Sequence, residues 1–102
     1  TSPSSVNNIA NKHLGIYNAP NPMSNNTVFA YNLNGAANVT LSIYDVTGRE
    51  VNVLFSELQS AGLHYYNWIG DDNSGKLLPA GVYTFMLVSN GMRTNGKLMI
   101  VR

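Results

Sequence analysis

The sequence predicts an all-β domain, an antiparallel β-sandwich of about seven short strands. Three observations lead to this class. Apolar residues alternate with polar ones along most of the chain, a period of two that is typical of half-buried strands. Asparagine and glycine, which favour sharp turns, account for 15 and nine of the 102 residues. The alternating segments recur at spacings of roughly 8–14 residues, as expected for a sandwich of short strands.

Seven segments show this alternation, and we expect each to form a strand: 14–17, 27–33, 39–44, 49–55, 63–69, 82–88 and 97–101. The second, third and fourth segments each carry an apolar set that we expect to face the core: Phe29, Tyr31 and Leu33; Val39, Leu41 and Ile43; Val51, Val53 and Phe55. The segment 82–88 is apolar on both faces apart from Thr84, which predicts a central strand. Residues 56–61 are the only candidate for a helical turn.

Turn residues separate the alternating segments. Asn34-Gly35 lies between the second and third segments, and Asn90-Gly91 and Asn95-Gly96 lie between the last two. Asn-Gly pairs suit the type I′ turns of tight hairpins, because both residues tolerate positive φ. Thr47-Gly48 and residues 72–75 mark two further reversals. The turns therefore agree with the number of predicted strands.

Composition and charge exclude several classes of function. The chain has six basic and five acidic residues and a net charge of +1, which argues against duplex nucleic acid as a partner because phosphate binding needs a clustered basic face. Cysteine is absent, so thiol chemistry and cysteine-ligated zinc are excluded. The apolar runs are too short to span a membrane. Residues 1–12 are polar and predict a linker from a preceding domain, and 13–102 form the sandwich.

Residues suited to catalysis are scarce. His13 and His64 are the only histidines, and no nucleophile-elbow motif accompanies them. His64 alternates with Tyr66 and Trp68, which favours a half-buried structural role for it. We therefore expect neither enzyme activity nor a cofactor.

One acidic turn raises the question of a calcium site. Asp71, Asp72 and Asn73 precede Gly75, as oxygen ligands do at the start of a calcium loop. The complete loop needs a later acidic ligand, and residues 76–82 contain none. The favoured alternative is that these side chains cap backbone N–H groups in a turn. Metal binding here is thus only a weak candidate.

Aromatic residues could also form a carbohydrate platform. Trp68, Tyr83 and Phe85 lie in strong strand patterns and are expected in the core. Tyr17, Tyr44 and Tyr65 are better candidates for exposure, although nothing in the sequence places them in one plane.

Several motifs follow one another in an order that resembles a known family. They lie at 44–51, 61–64, 68–76 and 78–83. This order resembles the immunoglobulin-like module first named for the flagellar hook-capping protein. It is also similar to the C-terminal sorting domains of type IX secretion cargo in Bacteroidetes-type bacteria. The resemblance implies an immunoglobulin-like sandwich over about residues 14–102.

Two features favour the sorting domains within this resemblance. Residues 17–22 are similar to the opening Tyr-Pro-Asn-Pro of that family, with Ala19 as an insertion. The chain also ends on a short strand with basic residues at both ends: Lys97, Leu98, Met99, Ile100, Val101 and Arg102. The resemblance implies that secretion machinery recognises this strand through main-chain groups and through Lys97 or Arg102.

The remaining motif residues are expected to shape the fold: Pro20, Asn21, Pro22, Gly48, Trp68, Gly75, Gly81 and Tyr83. The two prolines should hold an extended opening segment, and Trp68 should add a large apolar surface to the core. Gly48, Gly75 and Gly81 should allow reversals. If Gly81 has a positive φ, a Cβ there is strained, and Gly81→Val should lower the melting temperature.

These expectations together describe a non-catalytic C-terminal sorting module. It would direct an exported cargo, fused before residue 1, through the type IX system by way of the periplasm of a Gram-negative bacterium. The cargo would then be secreted or held at the cell surface, and the expected partner is the outer-membrane secretion machinery. The alternative is a spacer, adhesion or carbohydrate-binding module of an extracellular protein or surface assembly.

Overall fold

The computed structural model describes residues 16–102, which form seven antiparallel strands in two sheets. The strands are β1 (Ile16–Ala19), β2 (Thr27–Leu33), β3 (Ala37–Tyr44), β4 (Glu50–Gln59), β5 (Gly62–Trp68), β6 (Gly81–Ser89) and β7 (Met92–Ile100). One sheet has the order β1-β2-β5 and the other the order β4-β3-β6-β7. The predicted all-β immunoglobulin-like sandwich is confirmed. The predicted linker at 1–12, His13 and the start of the first strand lie outside the described residues.

The core lies between the two sheets and contains the apolar sets predicted for β2 and β3. Phe29 from one sheet meets Phe85 from the other edge-on, with ring centroids 5.2 Å apart, and Trp68 is 2% exposed beside them. Each large side chain buried in this way contributes about 1.5–3 kcal/mol. β6 lies between β3 and β7, as predicted for a central strand. No helix among residues 16–102 is long and apolar enough to cross a membrane.

Strand β4 departs from the predicted alternation. Its pairing with β3 shifts register twice, and a residue added to one strand turns the following side chains to the other face. Val53, predicted to face the core, is therefore 38% exposed, whereas Asn52 is buried. The helical turn predicted at 56–61 is wrong as well, because β4 continues to Gln59 in its pairing with β3.

The three Asn-Gly pairs occupy three different environments. Asn90-Gly91, with φ of 49° and 85°, forms the tight turn of the β6–β7 hairpin, as predicted. Asn34-Gly35 has positive φ at neither residue and joins β2 to β3 across the two sheets, so the predicted hairpin there is wrong. Asn95-Gly96 lies inside β7, which is why that strand starts five residues before the predicted 97.

Gly96 makes room for the central aromatic residue of the core. It pairs with Phe85 across the β6–β7 ladder. A Cβ built on Gly96 would lie 2.6 Å from Cζ of Phe85, which is inside van der Waals contact. The Phe85 ring therefore lies over the position that any other side chain at 96 would fill.

The proline segments shape the loops at one end of the sandwich. Pro20 and Pro22 follow cis peptide bonds and lie in a bend between β1 and β2, so the expected extended opening segment is wrong.

Tyr83 donates its hydroxyl hydrogen to the Pro79 carbonyl at 2.8 Å, an arrangement like the tyrosine corner of sandwich domains. Burial raises the pKa of Tyr83 above its ordinary value. Gly81 has a φ of 159°, so the predicted positive φ is confirmed, whereas the expected reversal is wrong because the residue begins β6.

Two turns repeat one arrangement of bonds. In the β3–β4 turn, one carboxylate oxygen of Asp45 accepts hydrogen bonds from N–H of Thr47 at 2.9 Å, from its hydroxyl at 2.6 Å and from N–H of Arg49 at 3.0 Å. In the β5–β6 loop, Asp72 accepts the same three bonds from Ser74 and Lys76, at 2.9, 2.7 and 3.0 Å.

The glycine of each repeated turn has the same conformation. Gly48 and Gly75 both have φ of 88°, as expected for tight reversals. Both turns share the pattern Asp-x-Ser/Thr-Gly-Lys/Arg, at 45–49 and 72–76. One local sequence thus produces the same turn twice.

The hydrogen bonds of these turns favour the ionised aspartates. The pKa of Asp45 is lowered from the ordinary 3.8, first by its bond from the Thr47 hydroxyl and next by that from the Arg49 N–H. The pKa of Asp72 is lowered in the same way by Ser74 and Lys76. Both aspartates are half-buried at the surface, and the effect is local to the turns.

Replacement of Gly96 by alanine should destabilise the domain. The new Cβ must displace the buried Phe85 ring, and overpacking of this kind costs about 1–3 kcal/mol. We expect the melting temperature of Gly96→Ala to fall by roughly 4–8 °C for each kcal/mol. Gly35→Ala is the matched control, since no atom lies within 4 Å of a Cβ built there. Equal melting temperatures for the two variants would contradict the packing described for Phe85.

Acid should weaken the two repeated turns. Because the folded-state pKa values of Asp45 and Asp72 are lowered, the unfolded chain binds more protons near pH 4. The stability that these two aspartates contribute is therefore fully present above the ordinary pKa of aspartate, and it declines as the pH falls through their lower folded-state pKa values. Thermal melts between about pH 5 and pH 2 should show a smaller decline for Asp45→Asn/Asp72→Asn than for wild type. Glu57→Gln, at an exposed position, is the control. Identical pH profiles for the double variant and the wild type would contradict a contribution of Asp45 and Asp72 to the loss of stability in acid.

Candidate functional site

Strand β7 divides the predicted recognition residues into two sets. Leu98 and Ile100 face the core and are each 1% exposed. Lys97, Met99 and Val101 alternate with them and are exposed. The residues of the first set are therefore part of the core, and the second set presents its side chains to solvent.

The segment after β1 covers the outer edge of β7. The amide of Asn21 donates from Nδ2 to the Lys97 carbonyl at 3.2 Å and accepts through Oδ1 from the Met99 N–H at 3.1 Å. Met23 continues this pairing, since its N–H donates to the Met99 carbonyl and its carbonyl accepts from the Val101 N–H, both at 2.8 Å. The Asn21 side chain thus replaces a backbone peptide in the ladder. The resemblance implied that a partner recognises these main-chain groups of β7, but in the structure they are hydrogen-bonded within the domain.

Arg102 joins the β1–β2 and β5–β6 loops through three hydrogen bonds. Its guanidinium donates to the carbonyls of Leu78 at 2.7 Å, Gly70 at 3.1 Å and Ser24 at 3.3 Å. Gly70 has φ of 83°, and a Cβ there would lie 2.7 Å from Nη2 of Arg102. Glycine at 70 therefore gives the guanidinium its space. The charge that the resemblance assigned to recognition is engaged by the fold.

The exposed side of β7 borders an open groove on the solvent face of the four-stranded sheet. The groove has a volume of about 890 Å3, and Val82, Met86 and Val88 form its apolar floor. Lys97 and Arg93 line its β7 side. Asp45 also lines this groove. Among residues 16–102 the one ion pair joins Asp45 to Arg49, so neither Arg93 nor Lys97 forms an ion pair with a described acidic side chain.

Sequence reasoning missed Arg93 and the groove, although the signal was present. The segment 82–88 is apolar on both faces. Only one face of a strand can enter the core, so the apolar side chains of the other face line the solvent side of the sheet. The early start of β7 then places Arg93 on the same face as Lys97, opposite Val88 in the ladder.

The candidate calcium residues hold the β5–β6 loop against β4. Asp71 accepts from Nε1 of Trp68 at 3.0 Å and from the amide of the buried Asn52. Asn73 accepts through Oδ1 from the N–H of Val53 at 3.0 Å. Together with the turn capped by Asp72, these oxygens point to separate donors within the fold. No group of three or more acidic, histidine or cysteine residues within 16–102 could hold a metal ion.

The aromatic residues divide as follows. Trp68 and Tyr83 are buried, as predicted. His64 is half-buried and stacks on Tyr31 with ring centres 5.4 Å apart. Tyr17 and Tyr65 are each 65% exposed, whereas Tyr44 is half-buried and lies on the other sheet.

Known proteins share this architecture. Part of dimeric latent PorU from Porphyromonas gingivalis superposes on the domain with a TM-score of 0.71 and 24% identity, over 84% of this chain and 9% of PorU. PorZ, a surface component of the type IX secretion system of the same organism, gives 0.62 and 18%, over 99% of this chain and 13% of PorZ. Both likenesses show a common fold.

FlgD from P. aeruginosa is also similar, with a TM-score of 0.57 and 28% identity over 72% of this chain and 58% of FlgD. The chain thus spans less than two thirds of the length of each of these three proteins. No curated protein sequence matches it significantly.

The family comparison agrees with the motif order found in the sequence. The model of the FlgD Ig-like domain matches residues 17–92, which include β2 to β6 and most of β1. With more than half of the chain matched and the sandwich confirmed, the chain belongs to the FlgD Ig-like domain family.

Proposed function

We propose that this domain is a non-catalytic sorting module, which directs a cargo protein fused to its N-terminal side through the type IX secretion system. The cargo would pass through the periplasm of a Gram-negative bacterium and be delivered to the cell surface or secreted. The partner in this proposal is the outer-membrane secretion machinery.

The observation that carries the proposal is the arrangement of β7. The strand is fixed on its outer edge by Asn21 and Met23, so its exposed side chains are held in defined positions. Rigid presentation lowers the entropy cost of binding. Lys97 and Met99 therefore form a preorganised surface beside the apolar groove, and the fold likeness to PorZ covers 99% of the chain, including this strand.

The opening and closing motifs of the sorting-domain resemblance meet in space, which supports the same proposal. Asn21, from the opening motif, bonds directly to Lys97 and Met99 of the closing motif. Residues separated by 76 and 78 positions in sequence thus form one structural unit. The two motifs that distinguish the sorting domains are parts of a single surface.

An export assay with substituted side chains tests the proposal. Deletion of 97–102 would remove Leu98 and Ile100 from the core, so failed export would not be separated from failed folding. The variant Lys97→Glu/Met99→Thr changes only exposed side chains. We expect it to melt like wild type and to lower surface delivery of a periplasmic reporter fused to the domain by about tenfold, which corresponds to about 1.4 kcal/mol of binding.

The matched control is Lys76→Glu/Leu77→Thr, which makes the same charge reversal and a similar apolar-to-threonine change in the β5–β6 loop at exposed positions. We expect this control to be delivered normally. Normal delivery of the β7 variant, or equal loss in both variants, would contradict recognition through Lys97 and Met99.

A further inference from the structure

The solvent face of the three-stranded sheet carries an ordered aromatic row. In the ladders, Tyr17 pairs with Ala30, and Ala30 pairs with Tyr65. Both tyrosines are 65% exposed, whereas Ala30 between them is 4% exposed because its neighbours cover it. Strands are about 4.8 Å apart, so the two tyrosine backbones lie about 10 Å from each other across the sheet. We refer to this row and its neighbours on the same face as the tyrosine face.

The neighbouring rows are defined by the same ladders. They contain Ala19, Val28 and Asn67 on one side of the tyrosine row, and Asn32 and Leu63 on the other. None of the eight residues of the tyrosine face is ionisable at neutral pH. This separates it from the groove on the opposite sheet, which carries Arg93 and Lys97.

Polar groups on this face are available to a ligand. The hydroxyls of Tyr17 and Tyr65 form no hydrogen bond with another residue in the described part of the chain. Asn26 donates from Nδ2 to Oδ1 of Asn67 at 2.7 Å. That bond orients the side-chain amide of Asn67, whose N–H groups therefore point away from Asn26. Flat apolar rings are thus bordered by hydroxyl and amide groups.

We propose that the tyrosine face binds a neutral polysaccharide chain of linked pyranose rings. A pyranose has a flat face of C–H groups and a rim of hydroxyls. The ring of tyrosine offers a matching apolar surface with a polar tip, and amides are both donors and acceptors for sugar hydroxyls. Tyr17 and Tyr65 would each stack on one sugar, on either side of the covered Ala30.

The observations favour this ligand over a protein partner. The absence of charge removes the ion pairs that would recognise an anionic ligand. The backbone positions of the tyrosine face span only about 10 Å by 14 Å, whereas each partner in a standard protein interface buries about 800 Å2. A second copy of the chain would therefore need contacts well beyond these residues. The site is independent of the sorting surface on β7.

Titration of the 102-residue chain with neutral hexasaccharides of glucose, xylose, mannose and N-acetylglucosamine tests this inference. Amide chemical shifts and calorimetry report binding, and a hexagalacturonate serves as the anionic probe. We expect one or more neutral probes to shift the amides of β1, β2 and β5. Tyr17→Ala and Tyr65→Ala should each weaken binding by about tenfold, because each removes one exposed ring without loss of core packing. Tyr44→Ala on the other sheet is the control.

Several outcomes would overturn the inference. These are the absence of binding to every neutral probe, binding of the anionic probe alone, and equal weakening by Tyr44→Ala and the two tyrosine variants. A concentration-dependent dimer that is lost in Tyr17→Ala and Tyr65→Ala would assign the face to self-association instead. Thermal melts establish that each variant is folded.

Discussion

The closure of the outer edge of β7 by Asn21 and Met23 is the interaction on which the rest of the structure depends. An unpaired strand edge is a site for uncontrolled pairing with other chains. Here a side-chain amide and one backbone residue supply the missing partners. In the same strand, which pairs with β6 along its other edge, Leu98 and Ile100 enter the core and Lys97 and Met99 face solvent. The closed edge thus holds the exposed side chains of the terminal strand in fixed positions.

This arrangement divides the domain into surfaces with different chemistry. The four-stranded sheet presents an apolar groove with two cations, and the three-stranded sheet presents an uncharged face with two tyrosines. Arg102 lies at neither surface, because three loop carbonyls hold its guanidinium. The two sheets face in opposite directions, so the proposed protein partner and the proposed neutral ligand would contact different surfaces of the domain.

Local pattern predicted much of this fold, and long-range pairing determined the remainder. The alternation in 27–33 and 39–44 identified core residues such as Phe29 and Leu41, because a strand buried on one face has a strict period of two. The β4 bulges reversed Val53 and Asn52, and no periodicity in that strand alone encodes a register shift set by its partner. The pair Asn95-Gly96 is typical of a turn, but the role of Gly96 depends on Phe85, which only the β6–β7 pairing brings near.

Because long-range contacts are not visible in local sequence, the sequence identified only part of the candidate site. The resemblance pointed to Lys97 and Arg102, but not to their different environments, which depend on loops far away in sequence. Hydrogen exchange at the Met99 amide tests the closure of β7 most directly. We expect slow exchange in the wild type, and faster exchange at Met99 in Asn21→Ala while Leu98, paired with Tyr83, stays protected. Rapid exchange at Met99 in the wild type, or no change in Asn21→Ala, would contradict the closure of this edge by Asn21.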